Sequence, residues 1–295
     1  MSRFLDSCTE YIKNQPDAGN IIRVSELHNG GEPETAELVP ASWCQNIYSV
    51  AKTFTMTAVG LLYDRGMLSP EDRFCDIFAE EIEEGNLWAR GMDERWKLTT
   101  VDMALTHRIG LHAGFLDIDC NKISCFTDDF LAYTLTFPLI CTLGEKYIYT
   151  DGAFYLCARA VEKKTGEHLN PFMWRELFQP LGFQEAAWSV CPQGHAVGGT
   201  GLYVHTADMV RLGQLYLSGG VWKGKRLLSE EWTKMAVERS YALDWDGSHT
   251  FYSKGGMYGQ SLMVFPSQNR VLAVEGFDCD PYCAARFAME YGDRD

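Results

Sequence analysis

The sequence predicts an α+β fold with a helical segment inserted between its strands, and three observations carry that prediction. A helix-spaced segment and two strand-like runs open the chain, the middle reads as helices and loops, and apolar strand-like runs return near the C-terminus. The 295 residues are 46% hydrophobic, enough for one large core, and no internal repeat or low-complexity segment interrupts them.

Residues 3–13 place Phe4, Leu5, Cys8, Tyr11 and Ile12 at helical spacing, an amphipathic helix. Residues 21–24 and 36–39 flank the turn-rich Asn29-Gly30-Gly31-Glu32-Pro33 and read as a hairpin. An apolar helix opens at Ser49 and runs to about Arg65, while residues 88–107 and 128–138 read as helical or irregular. Residues 154–162 read as a helix. Leu262-Met263-Val264-Phe265 then leads through a Pro-Ser-Gln-Asn turn into a strand at 271–274.

Composition narrows the function. A net charge of −14 opposes nucleic acid and the anionic membrane surface, so neither is expected as a partner. No run of about 18 uncharged apolar residues exists, and the first residues turn polar too early for a signal peptide; a cytoplasmic location is the expectation. The ten cysteines are scattered and read as reduced thiols. Cys279 and Cys283 are four apart but have no His or Cys partner nearby, so neither a metal nor another cofactor is expected.

Ser49 and Lys52 form an S-x-x-K step where the apolar helix begins. Residues three apart on a helix lie about 5–6 Å apart at Cβ, so the lysine can reach the hydroxyl. A serine needs such a neighbour to attack, and a lysine serves as base only when burial lowers its pKa from about 10.4 to about 7–8. Tyr149-Thr150-Asp151 follows about a hundred residues later, and Lys254-Gly255-Gly256 lies near the C-terminus. The order S-x-x-K, Y-x-N, K-T-G resembles the penicillin-recognising serine hydrolases, in particular the class C β-lactamase, D,D-peptidase and esterase family. Ala104-Leu105-Thr106-His107-Arg108-Ile109-Gly110-Leu111, the segment from Gly198 to Met209, and Gly259-Gln260-Ser261-Leu262 with Pro266 extend the likeness.

The resemblance implies a β-lactamase/transpeptidase-like fold, an antiparallel sheet flanked by helices with an inserted helical subdomain. One catalytic domain would take the whole chain, with an α/β part at about 1–65 plus 196–295 and a helical part at about 66–195. It implies Ser49 as nucleophile, although an N-cap serine would look the same. Lys52 becomes base or charge partner, Tyr149 general base or proton relay, and Lys254 a further catalytic group. The oxyanion hole would combine the N–H groups of Ser49 and Met257, and Asp151, Gly255 and Gly256 would contact substrate. His107, Asp208 and Glu162 also match family positions, with capping or packing as sufficient reasons for them.

Two departures bear on substrate. Asp151 stands where the family has Asn, and a carboxylate accepts hydrogen bonds but donates none. It would also favour the charged form of Lys52, moving the base role toward Tyr149. Gly255 replaces a Thr whose hydroxyl helps hold a substrate carboxylate. The expectation is a serine hydrolase forming an acyl-enzyme at Ser49 from a small-molecule ester, amide or β-lactam. A catalytically weak binding protein that keeps the fold and pocket is the alternative. No G-x-S-x-G elbow occurs, which excludes an α/β-hydrolase.

Overall fold

The computed structural model describes residues 2–16, 18–116 and 127–292. Helix α1 (Arg3–Lys13) begins at Ser2, whose Oγ accepts the Leu5 N–H at 3.0 Å, and buries the expected Phe4, Leu5, Cys8 and Ile12. Strands β1 (Ile21–His28) and β2 (Glu34–Glu37) form the expected hairpin, Val24 facing Ala36. The first strand is longer than its apolar stretch because its buried polar residues find partners. Glu26 pairs with Arg270 at 2.8 Å, and Ser25 shares a hydrogen bond with Thr206 at 2.6 Å.

After β3 (Gln45–Asn46) the chain makes a 3-10 turn, Tyr48–Val50, and enters α2 (Ala51–Tyr63). Ser49 therefore sits on the turn before the helix and not on its first turn, and the helix ends two residues before the expected Arg65. Its residues from Ala51 to Leu62 are buried on every side, the polar Lys52, Thr53, Thr55 and Thr57 each donating to a backbone carbonyl. The segment 88–107 resolves into a 3-10 turn, Glu94–Leu98, and the short α5 (Val101–Leu105), after α3 (Phe74–Ile77) and α4 (Ala79–Glu84). Helix α6 (Phe130–Thr136) starts at Asp129, whose Oδ1 accepts the Ala132 N–H at 2.9 Å, and stops ahead of Pro138.

Helix α7 (Asp151–Thr165) carries the predicted helical run, capped by Thr150 at one end and by Gly166 in the left-handed region at the other. Then come α8 (Leu169–Met173), α9 (Gln179–Leu181), β4 (Ala187–Trp188), β5 (Leu202–Val204), α10 (Thr206–Leu217), the hairpin β6 (Val221–Trp222) and β7 (Lys225–Arg226), and α11 (Glu230–Glu238). The chain closes with β8 (Asp244–Trp245), β9 (Tyr252–Gly255), β10 (Ser261–Phe265), β11 (Arg270–Gly276) and α12 (Cys283–Tyr291).

The main sheet is antiparallel and six-stranded, in the order β2-β1-β11-β10-β9-β8. Phe4 and Leu5 of α1 and Ala284 and Ala285 of α12 pack with Val24, Met263 and Leu272 on one face, and α10 covers the other. Strand β8 pairs only with Tyr252 and Ser253, so β9 is an open edge from Lys254 onward. A small sheet, β3-β5-β4, ties the approach to Ser49 against the segment after Gly198, with the Ile47 N–H donating to Leu202 O at 2.9 Å. Among the described residues, no helix is long and apolar enough to cross a membrane.

Candidate active site

Four chain segments meet at the open end of β9: residues 47–52, 149–151, 198–201 and 254–257. Lys52, fully buried on α2, donates to Ser49 Oγ at 3.3 Å, to the Gly199 carbonyl at 2.7 Å, and to the Asp151 carboxylate through a very short contact. Its Nζ lies 4.7 Å from the centre of the Tyr149 ring, and Lys254 Nζ lies 4.8 Å from the same centre. Both lysines are close enough to Tyr149 to act on it electrostatically. The structure thus gathers Ser49, Lys52, Tyr149, Asp151 and Lys254 from positions up to about two hundred residues apart in the chain.

The charges follow from the partners. Burial alone would push Lys52 down, but the Asp151 carboxylate and the Tyr149 phenol outweigh it and hold the lysine above its ordinary pKa. Lys52 is therefore an ammonium in this geometry, and the lowered value that a lysine base requires is absent. Lys254 goes the other way: burial, with Lys52 beside it, takes it below the ordinary value despite Tyr149 and Asp244.

His107 stands behind Tyr149, their ring centres 4.4 Å apart. Burial and the neighbouring lysines drive its pKa down to about 2, so it is a neutral imidazole. Its carbonyl accepts the Ile148 N–H at 2.8 Å and its Nδ1 the Thr150 N–H at 3.4 Å, which fixes the strand-like segment that presents Tyr149. The sequence carries His107 only as one position in a matched segment; its contact with Tyr149 depends on chain closure over 42 residues and leaves no local signal. Asp208 pairs with Arg211 on α10, a helix-start role.

Gly256 allows the strand to approach the serine turn. A Cβ there would lie 2.8 Å from the Ile47 carbonyl oxygen and 2.6 Å from Gln260 Oε1, so no side chain fits. This close approach sets Met257, which is half-exposed, beside the turn that carries Ser49. Tyr48 precedes the serine at φ 47°, a strained backbone for an aromatic residue of the kind that gathers at functional sites. Its ring meets Tyr258 edge-on at 5.0 Å, and Tyr258 stacks on Phe277 at 4.8 Å.

The Gly255 position has a close neighbour from elsewhere in the chain. A Cβ built on Gly255 would lie 3.1 Å from the hydroxyl of Tyr282, at the start of α12, a tight contact that a larger residue would have to push aside. Nothing in the sequence near either residue signals this neighbourhood. Cys279 and Cys283 are both free thiols, Cys279 facing the carbonyls of Tyr258 and Gly259.

Comparison with known proteins bears on the family and the fold. The Beta-lactamase family model matches residues 29–274. Penicillin-binding protein 4 of Amycolatopsis lactamdurans is 24% identical, the match covering 77% of this chain and 70% of that protein. Among solved structures, a penicillin-binding protein from Bacillus halodurans has a TM-score of 0.70 at 19% identity, over 98% of this chain and 99% of that one. EstCE1, described as a hydrolase with promiscuous acyltransferase activity, has a TM-score of 0.73 at 13% identity, over 96% of this chain and 97% of that one. These structures share the β-lactamase/transpeptidase-like architecture. Because the matched span holds all four segments that converge on Ser49, the chain belongs to the Beta-lactamase family.

Proposed function

We propose that this protein is a serine hydrolase that forms an acyl-enzyme at Ser49 and prefers small esters or amides with apolar acyl groups to penicillins. One observation carries the reading: the amino groups of Lys52 and Lys254 both lie against the Tyr149 ring, with Lys52 3.3 Å from Ser49 Oγ. Since Asp151 keeps Lys52 protonated, Tyr149 takes the Ser49 proton as Oγ adds to the substrate carbonyl and passes its own hydroxyl proton to Lys254, whose pKa burial lowers. The N–H groups of Ser49 and Met257 face the developing oxyanion, and Tyr149 returns the proton to the leaving oxygen or nitrogen as the bond to it breaks. Water repeats the sequence on the acyl-enzyme and restores the serine.

The substrate preference rests on three features. Asp151 is held by Lys52 and has no donor to offer an acylamido carbonyl. Gly255 brings no hydroxyl for a carboxylate. The wall beside Ser49 is aromatic, built of Tyr48, Tyr258 and Phe277. Each missing contact is worth about 1–3 kcal/mol, so the two together correspond to at least a roughly tenfold preference. The test is kcat/KM for p-nitrophenyl butyrate against benzylpenicillin, with Ser49→Ala as control. Ester turnover at least tenfold above penicillin turnover, lost in Ser49→Ala, is expected; a better rate on benzylpenicillin would reassign the chain to penicillin hydrolysis. Restoring the family contacts calls for Gly255→Thr and Asp151→Asn, with Tyr282→Phe added to relieve the tight contact between the new Cβ and the Tyr282 hydroxyl.

A further inference from the structure

At the far end of α7 from Asp151, Glu162 faces two histidines that the catalytic reading does not use. His195 Nδ1 lies 2.6 Å from Glu162 Oε2, and His168 Nδ1 lies 3.8 Å from Glu162 Oε1. One donor atom from each residue falls within 4.8 Å of the other two. We infer that Glu162, His168 and His195 form a binding site for a borderline divalent transition ion, zinc or cobalt in type, where the sequence alone suggests no metal.

The donor set favours this chemistry. Two imidazoles and one carboxylate suit Zn²⁺ or Co²⁺ and are a poor match for Mg²⁺ or Ca²⁺, which take all-oxygen shells. Bonds of about 2.0–2.1 Å in a tetrahedral site place ligand atoms roughly 3.4 Å apart; His195 Nδ1 stands 2.6 Å from one carboxylate oxygen and His168 Nδ1 3.8 Å from the other, so side-chain rotation brings the donors to that separation. The carboxylate is already oriented, as it accepts the Leu169 N–H at 3.0 Å and meets Arg159 Nε at 3.3 Å. A cavity of about 520 Å³, lined by these three residues with Arg159, Lys163 and Glu167, leaves room for a water in the fourth position. His168 is 60% exposed and gives the ion a way in.

Binding replaces the hydrogen bond between His195 and Glu162 with two coordinate bonds from neutral imidazoles, the nitrogen proton of His195 moving to its other ring nitrogen through solvent. The site joins the last turn of α7, the start of α8 and the segment ahead of Gly199, whose carbonyl receives Lys52. Eleven helical residues at 1.5 Å each separate it from Asp151 by about 16 Å, so it tightens the scaffold without entering the cleft.

The test is titration of the chelator-treated full chain with Co²⁺, followed by visible absorption, with unfolding midpoints measured in Zn²⁺ and in EDTA. Expected are one equivalent of Co²⁺ with a d–d spectrum free of thiolate charge transfer, a midpoint that rises with zinc, and at least tenfold weaker binding in His168→Ala and in His195→Ala. Cys279→Ser is expected to bind as the unaltered chain does. The exposed His168 gives a variant that folds, so a lost signal there reports ligation and not misfolding. No binding below about 100 µM, a thiolate spectrum, or affinity unchanged in both histidine variants would overturn the site and leave a plain hydrogen-bonded His195–Glu162 pair.

Discussion

The two ends of α7 bury the same functional group and neutralise it differently. Asp151 opens the helix and Glu162 lies in its last turns, each only 6% exposed. At the N-terminus the helix dipole already favours an anion, and the Lys52 ammonium pairs with it. Toward the C-terminus the dipole opposes an anion, and Glu162 needs more. Burial pushes its pKa up, but His195, the Leu169 N–H and Arg159 outweigh that and hold it below the ordinary value. The first arrangement is closed and commits Lys52 to its charged form, whereas the second opens on a cavity with exchangeable imidazoles. A buried carboxylate at a helix start can thus fix a catalytic charge, and one at a helix end becomes a point where other groups collect.

The largest expected effect comes from breaking the closed end. Lys52→Met leaves Asp151 buried without its ammonium, which costs about 3–5 kcal/mol in urea unfolding and lowers kcat at least ~10²-fold. The double change Lys52→Met with Asp151→Asn is expected to recover most of the stability and none of the rate. Recovery of both would remove Lys52 from the chemistry. Tyr149→Phe comes next: kcat falls ~10²–10⁴-fold, while stability changes by no more than about 1.5 kcal/mol. An unchanged rate would leave the phenol as packing only.

The comparison itself is sharpened by matched amide substitutions. Asp151→Asn removes the carboxylate that holds Lys52 up, so burial dominates and the limb of kcat/KM against pH that reports Lys52 moves to lower pH. Glu162→Gln is expected to cost about 1–3 kcal/mol of stability and to leave the pH profile in place. A profile that moves with Glu162→Gln would join the two ends of the helix into one electrostatic unit. The last effect, seen only under acidic conditions, concerns His107. Its folded pKa of about 2 lies below the usual unfolded value near 6.5, so unfolding takes up a proton between these limits. Its contribution to stability is complete above pH 6.5 and declines as the pH falls toward 2, by up to about 1.4 kcal/mol per pH unit. His107→Gln is expected to flatten the unfolding midpoint against pH in that window; an unaltered slope would contradict the buried, neutral imidazole.

What the sequence made legible was local or ordered along the chain. The S-x-x-K step, the Tyr149 segment and the Lys254 segment are short patterns whose chemistry depends on residue type, and the structure brings them together. Asp151 was legible as the partner that charges Lys52, because a carboxylate in that position admits little else. The helix after Ser49 and the first hairpin were visible from apolar spacing and turn residues. Three features were not. Gly199 supplies a backbone carbonyl, which no side-chain pattern reveals. Tyr282 lies against the Gly255 position through tertiary packing between the start of α12 and β9. Of the short helices between 74 and 105, α3 and α5 pack against α7, and only α5 carries a side-chain cap, Thr100 accepting the Met103 N–H at 3.3 Å, so apolar spacing alone does not mark their ends.

The central claim is that Ser49 is the nucleophile and that Lys52 acts as its charged neighbour, with Tyr149 as the base. The most direct measurement is intact mass followed by peptide mapping after treatment with a fluorophosphonate, for the unaltered chain, Ser49→Ala, Lys52→Met with Asp151→Asn, and Tyr149→Phe. The account predicts one adduct, on Ser49, absent in Ser49→Ala and formed at least ~10²-fold more slowly in the other two. Labelling that persists in Ser49→Ala, or that proceeds at full rate in Tyr149→Phe, would contradict it.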